Sequence, residues 1–327
     1  MNPVVKHPEL DSTVFHGMVT CAPEMHRLFE LVQRAGHSDA TVLIRGESGT
    51  GKELVADALH NESPRSRQPF QVVNCATFTS ELLASELFGH VRGAFTGAVR
   101  DRKGVLAMAD KGTLFLDEVA ELPIELQARL LRVIQQRRFT PVGATVEQQV
   151  DVRFLSATNA GLRKMVAEGR FREDLMYRLR VVVLYLPRLV DRAGDIQALT
   201  WHYIDRFNDR RGRKVHAIDR PAWAAMQAYS WPGNIRELRN NLEQAFVLGE
   251  GPVLKLDELA PEIRGEGVER ISSTPAATRP QLTLADLQRD ELTTAYRETG
   301  GHRGKMADVL GISRPTLYRR LKRHGLI

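Results

Sequence analysis

GESGTGKE, residues 46–53, holds glycine at three of its first six positions and then sets a lysine beside a glutamate. TVLIR (41–45) before it reads as a buried strand, and ELVADALH (53–60) reads as a helix. A glycine loop between a strand and a helix N-terminus aims several backbone N–H groups at one point, where the helix dipole also favours negative charge. Phosphate groups fit that point, so Gly46, Glu47, Ser48, Gly49, Thr50, Gly51, Lys52 and Glu53 form the candidate nucleotide cradle. Lys52 has the reach to meet the β- and γ-phosphate oxygens. One position departs from the general pattern. Glu53 stands where serine or threonine commonly holds magnesium, and Thr50 is displaced from that place.

Further out lie four more apolar runs: FQVVNC (70–75), TLFLDE (113–118), VRFLSATN (152–159) and VVVLYLP (181–187), the last closed by Pro187. Helical spacing lies between them, most clearly in ELQARLLRVIQQ (125–136). Short β-rich runs alternating with helices predict an α/β fold with a parallel sheet covered on both faces. After Pro187 the pattern changes to helices only, in DIQALTWHYIDRFNDR (195–210), PAWAAMQAY (221–229) and NIRELRNNLEQAFVLG (234–249). The expected division is a short N-terminal segment (1–14), an α/β nucleotide subdomain (15–188), a helical lid (189–260), a flexible linker (261–281) and a terminal helical module (282–327). The linker is expected from its three prolines and Ser-Thr-rich centre.

TLFLDE ends in paired carboxylates about sixty-five residues after the loop. Asp117 is the candidate to hold a magnesium ion, and Glu118 to orient or deprotonate the attacking water. Asn159, ending the next strand, is a candidate γ-phosphate sensor, and Asn74, ending FQVVNC, a candidate partner of Glu118 or of water. Either asparagine equally suits a strand-to-loop cap. Arg172 and Arg178 lie in GRFREDLMYRLR beside Glu173 and Asp174. They read as a solvated helix face or as cations reaching a neighbouring subunit's γ-phosphate. Arg236, in WPGNIRELRN, opens a lid helix from which it can contact nucleotide in its own subunit.

GHVRGAFTGAVRDRKG (89–104) has four glycines around one phenylalanine, Phe95. Glycine loses the most backbone freedom on folding, so the stretch reads as a mobile loop presenting an aromatic tip to something outside.

The chain has 327 residues and ordinary globular composition, with 43% hydrophobic and 26% charged residues. No apolar run reaches the length of a membrane span, and the start, MNPVVKHPELDSTVFHG, lacks a signal-peptide pattern. Cys21 and Cys75 have no metal-ligand spacing, which suits a reducing cytoplasm. The formal charge is +6, and residues 303–324 alone hold seven Lys or Arg against Asp308, so the basic character is a C-terminal patch. There KMADVLGISRPTLYRRLKRHGL divides at Gly311 into two helices. Ser313 suits a cap and Pro315 a first turn, which together predict a helix-turn-helix. Its candidate DNA contacts are Ser313, Arg314, Thr316, Tyr318, Arg319, Arg320, Lys322 and Arg323.

Together these motifs resemble the bacterial enhancer-binding proteins, AAA+ ATPases that activate RNA polymerase carrying sigma-54. GESGTGKE is similar to the family's phosphate loop, which commonly carries Glu after the lysine. GTLFLDE resembles its Walker B segment, GRFREDLMYRL its arginine-finger segment, WPGNIREL its second sensor, and the tail its Fis-type DNA-binding domain. GAFTGA, Gly93, Ala94, Phe95, Thr96, Gly97 and Ala98, matches the family signature. The resemblance implies ATP and Mg2+ as cofactors, an Asn74–Glu118 switch, and intersubunit roles for Arg172 and Arg178. It also implies a ring, commonly a hexamer built from dimers, whose Phe95–Thr96 tip contacts sigma-54 during ATP hydrolysis, and double-stranded enhancer DNA as a second partner. Val91-Arg92 departs from the Glu-Lys that often precedes the signature. The family's usual N-terminal sensory domain does not precede the ATPase module in this sequence, which fits either a family branch without one or a shortened chain; for such a branch, regulation by a partner protein or by expression level is expected. A non-hydrolysing DNA-binding regulator and an AAA+ machine acting on DNA itself are the alternatives.

Overall fold

In the computed structural model, Met1–Gly267 and Val268–Ile327 are two compact units, and residues 4–7, 11–210, 212–266 and 306 are described. The elements of the first unit begin with β1 (Val4–Lys6), β2 (Thr13–Phe15), β3 (Met18–Thr20), α1 (Pro23–Gly36), β4 (Val42–Arg45), α2 (Lys52–Asn61), β5 (Phe70–Asn74) and α3 (Ser80–Phe88). They continue with β6 (Gly89–His90), β7 (Arg102–Lys103), α4 (Val105–Met108), β8 (Thr113–Asp117), α5 (Ile124–Gln136), β9 (Arg138–Phe139), β10 (Gln148–Gln149) and β11 (Arg153–Thr158). The rest are α6 (Leu162–Ala167), α7 (Glu173–Leu179), β12 (Val182–Tyr185), α8 (Asp195–Arg210), β13 (Ala217–Asp219), α9 (Arg220–Ala228), α10 (Asn234–Leu248) and β14 (Val253–Leu254). None of these helices is long and apolar enough to cross a membrane.

The five expected strands make one parallel sheet in the order β12-β4-β11-β8-β5. Alternation along each strand splits the core into two layers. Leu114 and Leu116 of β8 face one layer with Leu83, Leu87 and Leu130. Phe115 faces the other with Leu28, Val32, Val55 and Leu59. Burial on both faces is why these strands read as continuous apolar runs. The register pairs Asn74 with Asp117 and Thr158 with Arg45, so the loops after β4, β5, β8 and β11 leave from one edge. Ligands of open α/β sheets sit outside that edge.

Arg153 ties the sheet to its helices. It is almost fully buried, and its guanidinium donates to the carbonyls of Ala35 (2.8 Å) and Gly36 (3.1 Å) ending α1 and of Leu59 (3.2 Å) in α2. Those are carbonyls at the negative ends of two helix dipoles, so one cation serves both, and Ala35 O accepts from the Ser38 N–H and hydroxyl as well. Burial pushes its pKa down from the ordinary arginine value.

Two expectations about the flanks change. Residues 1–14 do not stand apart, because β1 pairs antiparallel with β13 of the lid. The lid is therefore not helices only: β1, β13 and β14 form a three-stranded sheet beside α8, α9 and α10. These strands are two or three residues long, too short for a period-2 signal. The linker also starts later than residue 261, since Ile263 is buried against the lid core in a turn closed by its N–H on Ala260 O, 3.0 Å. The predicted helix-turn-helix, apart from Met306, and all of its DNA-contact residues lie outside the described residues.

Candidate active site

The loop leaves β4 at Gly46 and enters α2 through Gly51, whose φ of 102° lies in the left-handed region. Thr50 is buried, its hydroxyl donating to Glu47 O at 2.8 Å, so its side chain braces the loop from within. Lys52 is folded back: Nζ donates to Gly46 O (3.1 Å) and Glu47 O (3.3 Å) and lies 3.4 Å from Glu118 Oε1.

The carboxylates behave differently from one another. Burial, then the neighbouring Glu118, push the Asp117 carboxyl above the usual range, and Lys52 pulls the other way. Asn74 Nδ2 donates to Asp117 Oδ2 at 3.1 Å, while Asn74 Oδ1 accepts the Ala76 N–H. Asn74 therefore engages Asp117 here, and Glu118 pairs with Lys52. Glu118 has φ 49° and ψ 50°, the left-handed conformation that costs a non-glycine residue about 1 kcal/mol or more. Beneath the strand end, burial and the nearby Asp117 push the Cys75 thiol up to about 12.

A cavity of about 240 Å³ opens above these groups. Ser48, Gly49, Gly51, Lys52 and Glu53 line it, with Asp117, Glu118 and Arg236. Gly46, Glu47, Thr50, Asn159 and Asn74 are not among its lining residues. Asn159 is exposed just past the end of β11. The donor set suits a magnesium triphosphate: Lys52, Arg236 and Arg239 are cationic, and Asp117 is a half-buried carboxylate that a nearby cation would stabilise.

The lid closes the cavity through contacts that the motifs did not reveal. Arg236 Nη1 donates to Ser48 Oγ at 2.9 Å. Asn234, fully buried at φ 50°, donates through Nδ2 to Ser48 O (3.1 Å) and Glu47 Oε2 (3.3 Å) and accepts the Leu189 N–H at 2.8 Å. The Ile235 N–H donates to Gly49 O at 3.0 Å, and a Cβ at Gly49 would collide with Gly233 O. Arg192, also buried, donates to Thr50 O (2.8 Å) and Pro187 O (2.9 Å), joining the loop to the core–lid junction. Tyr203, Arg239 and Asn240 complete the lid side. Ile235 and Arg239 are four apart on α10, a helical spacing that could have drawn attention to Arg239.

Arg172 is the N-terminal flank of α7 and pairs bidentately with Asp174, at 3.1 and 2.7 Å, half exposed. Arg178 is exposed and makes no hydrogen bond or ion pair among the described residues. Neither lines the cavity of its own subunit.

The Gly93–Ala98 segment caps a two-stranded stem of β6 and β7. Its glycines divide into two kinds. Gly93 and Gly97 have φ of 82° and 102° with open space around them and form the turn. Gly89 and Gly104 instead let two backbones cross: a Cβ on Gly104 would strike Gly89 N and the Phe88 carbonyl carbon. So only the tip pair fits the expected freedom; the stem pair serves close packing. Thr96 and Gly97 are exposed, whereas Phe95 is half-buried, edge-on to His90 with ring centroids 5.0 Å apart. The aromatic is stowed against the stem in this conformation, in place of the expected exposed tip.

Comparison with known proteins agrees with this geometry. The Sigma-54 interaction domain matches residues 18–185, the AAA+ ATPase lid domain 190–276, and the Fis family of bacterial regulatory proteins 283–324. The chain is similar to the regulatory protein AtoC of Escherichia coli, 42% identical over 312 residues covering 94% of this chain and 68% of that protein. It is similar to the transcriptional regulatory protein ZraR of Klebsiella oxytoca, 44% identical over 307 residues covering 94% and 69%. The crystal structure of NtrX from Brucella abortus in complex with ATP superposes with a TM-score of 0.69 at 36% identity, covering 94% of this chain and 69% of that one. The corresponding ADP complex gives 0.70, covering 95% and 69%.

Proposed function

The chain belongs to the sigma-54 activator family of AAA+ ATPases, and from that premise we propose that ATP hydrolysis between subunits of a ring drives the Gly93–Ala98 loop against sigma-54. The family's activity is transcriptional activation with an ATPase core and a DNA-binding tail. One observation carries the coupling. The chain leaves Asn74 through α3, runs out along the loop stem, and returns through α4 and β8 to Asp117. The 3.1 Å hydrogen bond from Asn74 to Asp117 closes that circuit. A change at the γ-phosphate end thus meets the two strand ends between which the chain runs out to the loop and back.

For the chemistry, an arriving triphosphate competes for Lys52, which must leave Gly46 O, Glu47 O and Glu118. Asp117 would hold the Mg2+, which would supply positive charge to the triphosphate. Glu118, released from Lys52, becomes free to orient water for in-line attack on the γ-phosphorus. The bond from that phosphorus to the β-phosphate oxygen breaks, ADP leaves, and the water proton passes through Glu118 toward phosphate or solvent. Arg236, already bonded to Ser48 Oγ, is placed for cis contact with phosphate. Arg172, once released from Asp174, and Arg178 would serve a neighbouring subunit's γ-phosphate, where added positive charge is worth orders of magnitude in rate. Asn159 would report on the γ-phosphate from the end of β11. The tail residues Ser313, Arg314, Thr316, Tyr318, Arg319, Arg320, Lys322 and Arg323 would hold the ring on enhancer DNA, raising its concentration near the promoter.

Thr96→Ala tests the coupling. ATP turnover by the full chain and open-complex formation with sigma-54 polymerase are measured together. Turnover is expected to persist while open complexes are lost; open complexes at the wild-type level would overturn the loop's role.

A further inference from the structure

Next to Phe88, which precedes the loop stem, lies a second cavity of about 170 Å³ walled by Arg129, Arg132, Arg138, Gln136, Phe88 and Glu147 among others. Three guanidinium groups face one carboxylate there. Arg129 is half-buried on α5 with its guanidinium 3.9 Å over the face of Phe88 and Nη2 donating to Thr140 O at 2.8 Å; among the described residues no carboxylate pairs with it. Arg132, one turn along α5, is exposed and has no hydrogen bond or ion pair among the described residues. Arg138 reaches Glu147 only loosely, at 3.7 Å. A cation withdrawn from water without an anion is costly, and guanidinium forks match planar carboxylates bidentately. Burial pushes the Arg129 pKa below its ordinary value, the direction that an incoming anion would reverse.

This pocket is wired to the signature loop. Arg129 holds Thr140, and two residues on, Val142 donates its N–H to Gly89 O (2.9 Å) and accepts the Val91 N–H (3.1 Å). Next to it, Gly143 packs on Ala94 so closely that a Cβ there would lie 2.7 Å from the Ala94 Cβ. His90, against which Phe95 is stowed, bridges Val142.

We propose that the arginine pocket seats an acidic side chain of the polypeptide that the Gly93–Ala98 loop engages, a second anchor that is read together with Phe95. The proposal rests on the reading that this loop contacts sigma-54. A peptide suits the surroundings better than a nucleic-acid backbone. Val146, 72% exposed beside Glu147, and Val99, 81% exposed in the loop, offer apolar contacts that a sugar–phosphate chain does not use. An acidic residue flanked by apolar ones uses both the guanidinium groups and these aliphatics.

The test measures binding of purified sigma-54 to the full chain held with a non-hydrolysable ATP analogue, using Arg132→Glu, Arg138→Glu, Arg132→Lys and Phe95→Ala. A short DNA duplex without an enhancer sequence is the second probe. Each charge reversal is expected to weaken sigma-54 binding by about tenfold or more, as loss of a charge-assisted hydrogen bond does. Arg132→Lys should retain part of the affinity, and ATP turnover without sigma-54 should be unchanged. Arg138 is half exposed and among the described residues pairs only with Glu147, so its variant decides should Arg132→Glu lower thermal stability. If Phe95→Ala weakens binding while both charge reversals bind as wild type, the pocket proposal falls alone. If Phe95→Ala has no effect, the loop reading beneath it falls. Charge reversals that weaken duplex binding and spare sigma-54 would assign the pocket to nucleic acid and overturn the proposal.

Discussion

Asp117 carries its charge at a cost. Burial and Glu118 raise its carboxyl above the ordinary value, so the folded chain binds a proton there more tightly than the unfolded chain does. Stability then falls as pH climbs from the ordinary carboxylate value through the raised one, and the penalty is complete above it. Asp117→Asn keeps an acceptor for Asn74 and removes the charge. Its expected outcome is a higher melting temperature than wild type at pH 7–8 without nucleotide, an advantage that vanishes toward pH 4, with magnesium-dependent ATP turnover lost. A lower melting temperature at neutral pH would contradict this. Lys52, Asp117 and Glu118 were legible in the sequence because loop, strand and carboxylates come in a spacing that one chemistry requires. Asn234 and Arg192 were not. Their partners Ser48 and Thr50 lie 186 and 142 positions away, and nothing local marks a side chain as a clamp.

Among the elements, the loop stem and the capped helices have the least room for change. A methyl group at Gly104 would meet the backbone of Gly89 and Phe88, atoms that cannot rotate aside. Gly104→Ala should therefore destabilise the chain by about 1–3 kcal/mol, read in a urea melt, whereas Gly97→Ala meets open space and bears only the cost of its φ of 102°. Equal losses at the two positions would refute the separation of stem from tip. Replacing Arg153 with leucine removes the guanidinium from three helix-end carbonyls, of which Ala35 O keeps its Ser38 donors, and about 3 kcal/mol of stability should go with it, again by urea melt. The central strands announced themselves through five apolar runs. Strands β13 and β14 did not, being supported by tertiary pairing and having no pattern of their own. The loop glycines invited one reading for all four. Only backbone crossing distinguishes Gly89 and Gly104 from Gly93 and Gly97, and that is a property of the folded chain.

At the scale of the whole molecule, separate modules should fail separately. Lys52→Ala is expected to lower ATP turnover by at least about a hundredfold while a gel shift on enhancer DNA stays near wild type. Ending the chain after residue 280 should do the reverse, abolishing site-specific binding and leaving turnover. The basic surplus of residues 303–324 further implies that enhancer affinity falls steeply with salt. The most direct measurement is promoter melting by the full chain with sigma-54 polymerase, given either ATP or a non-hydrolysable analogue at saturating concentration. Melting with ATP and none with the analogue is the expected result. Equal melting with both would contradict the claim that hydrolysis at the Lys52–Asp117–Glu118 site moves the loop.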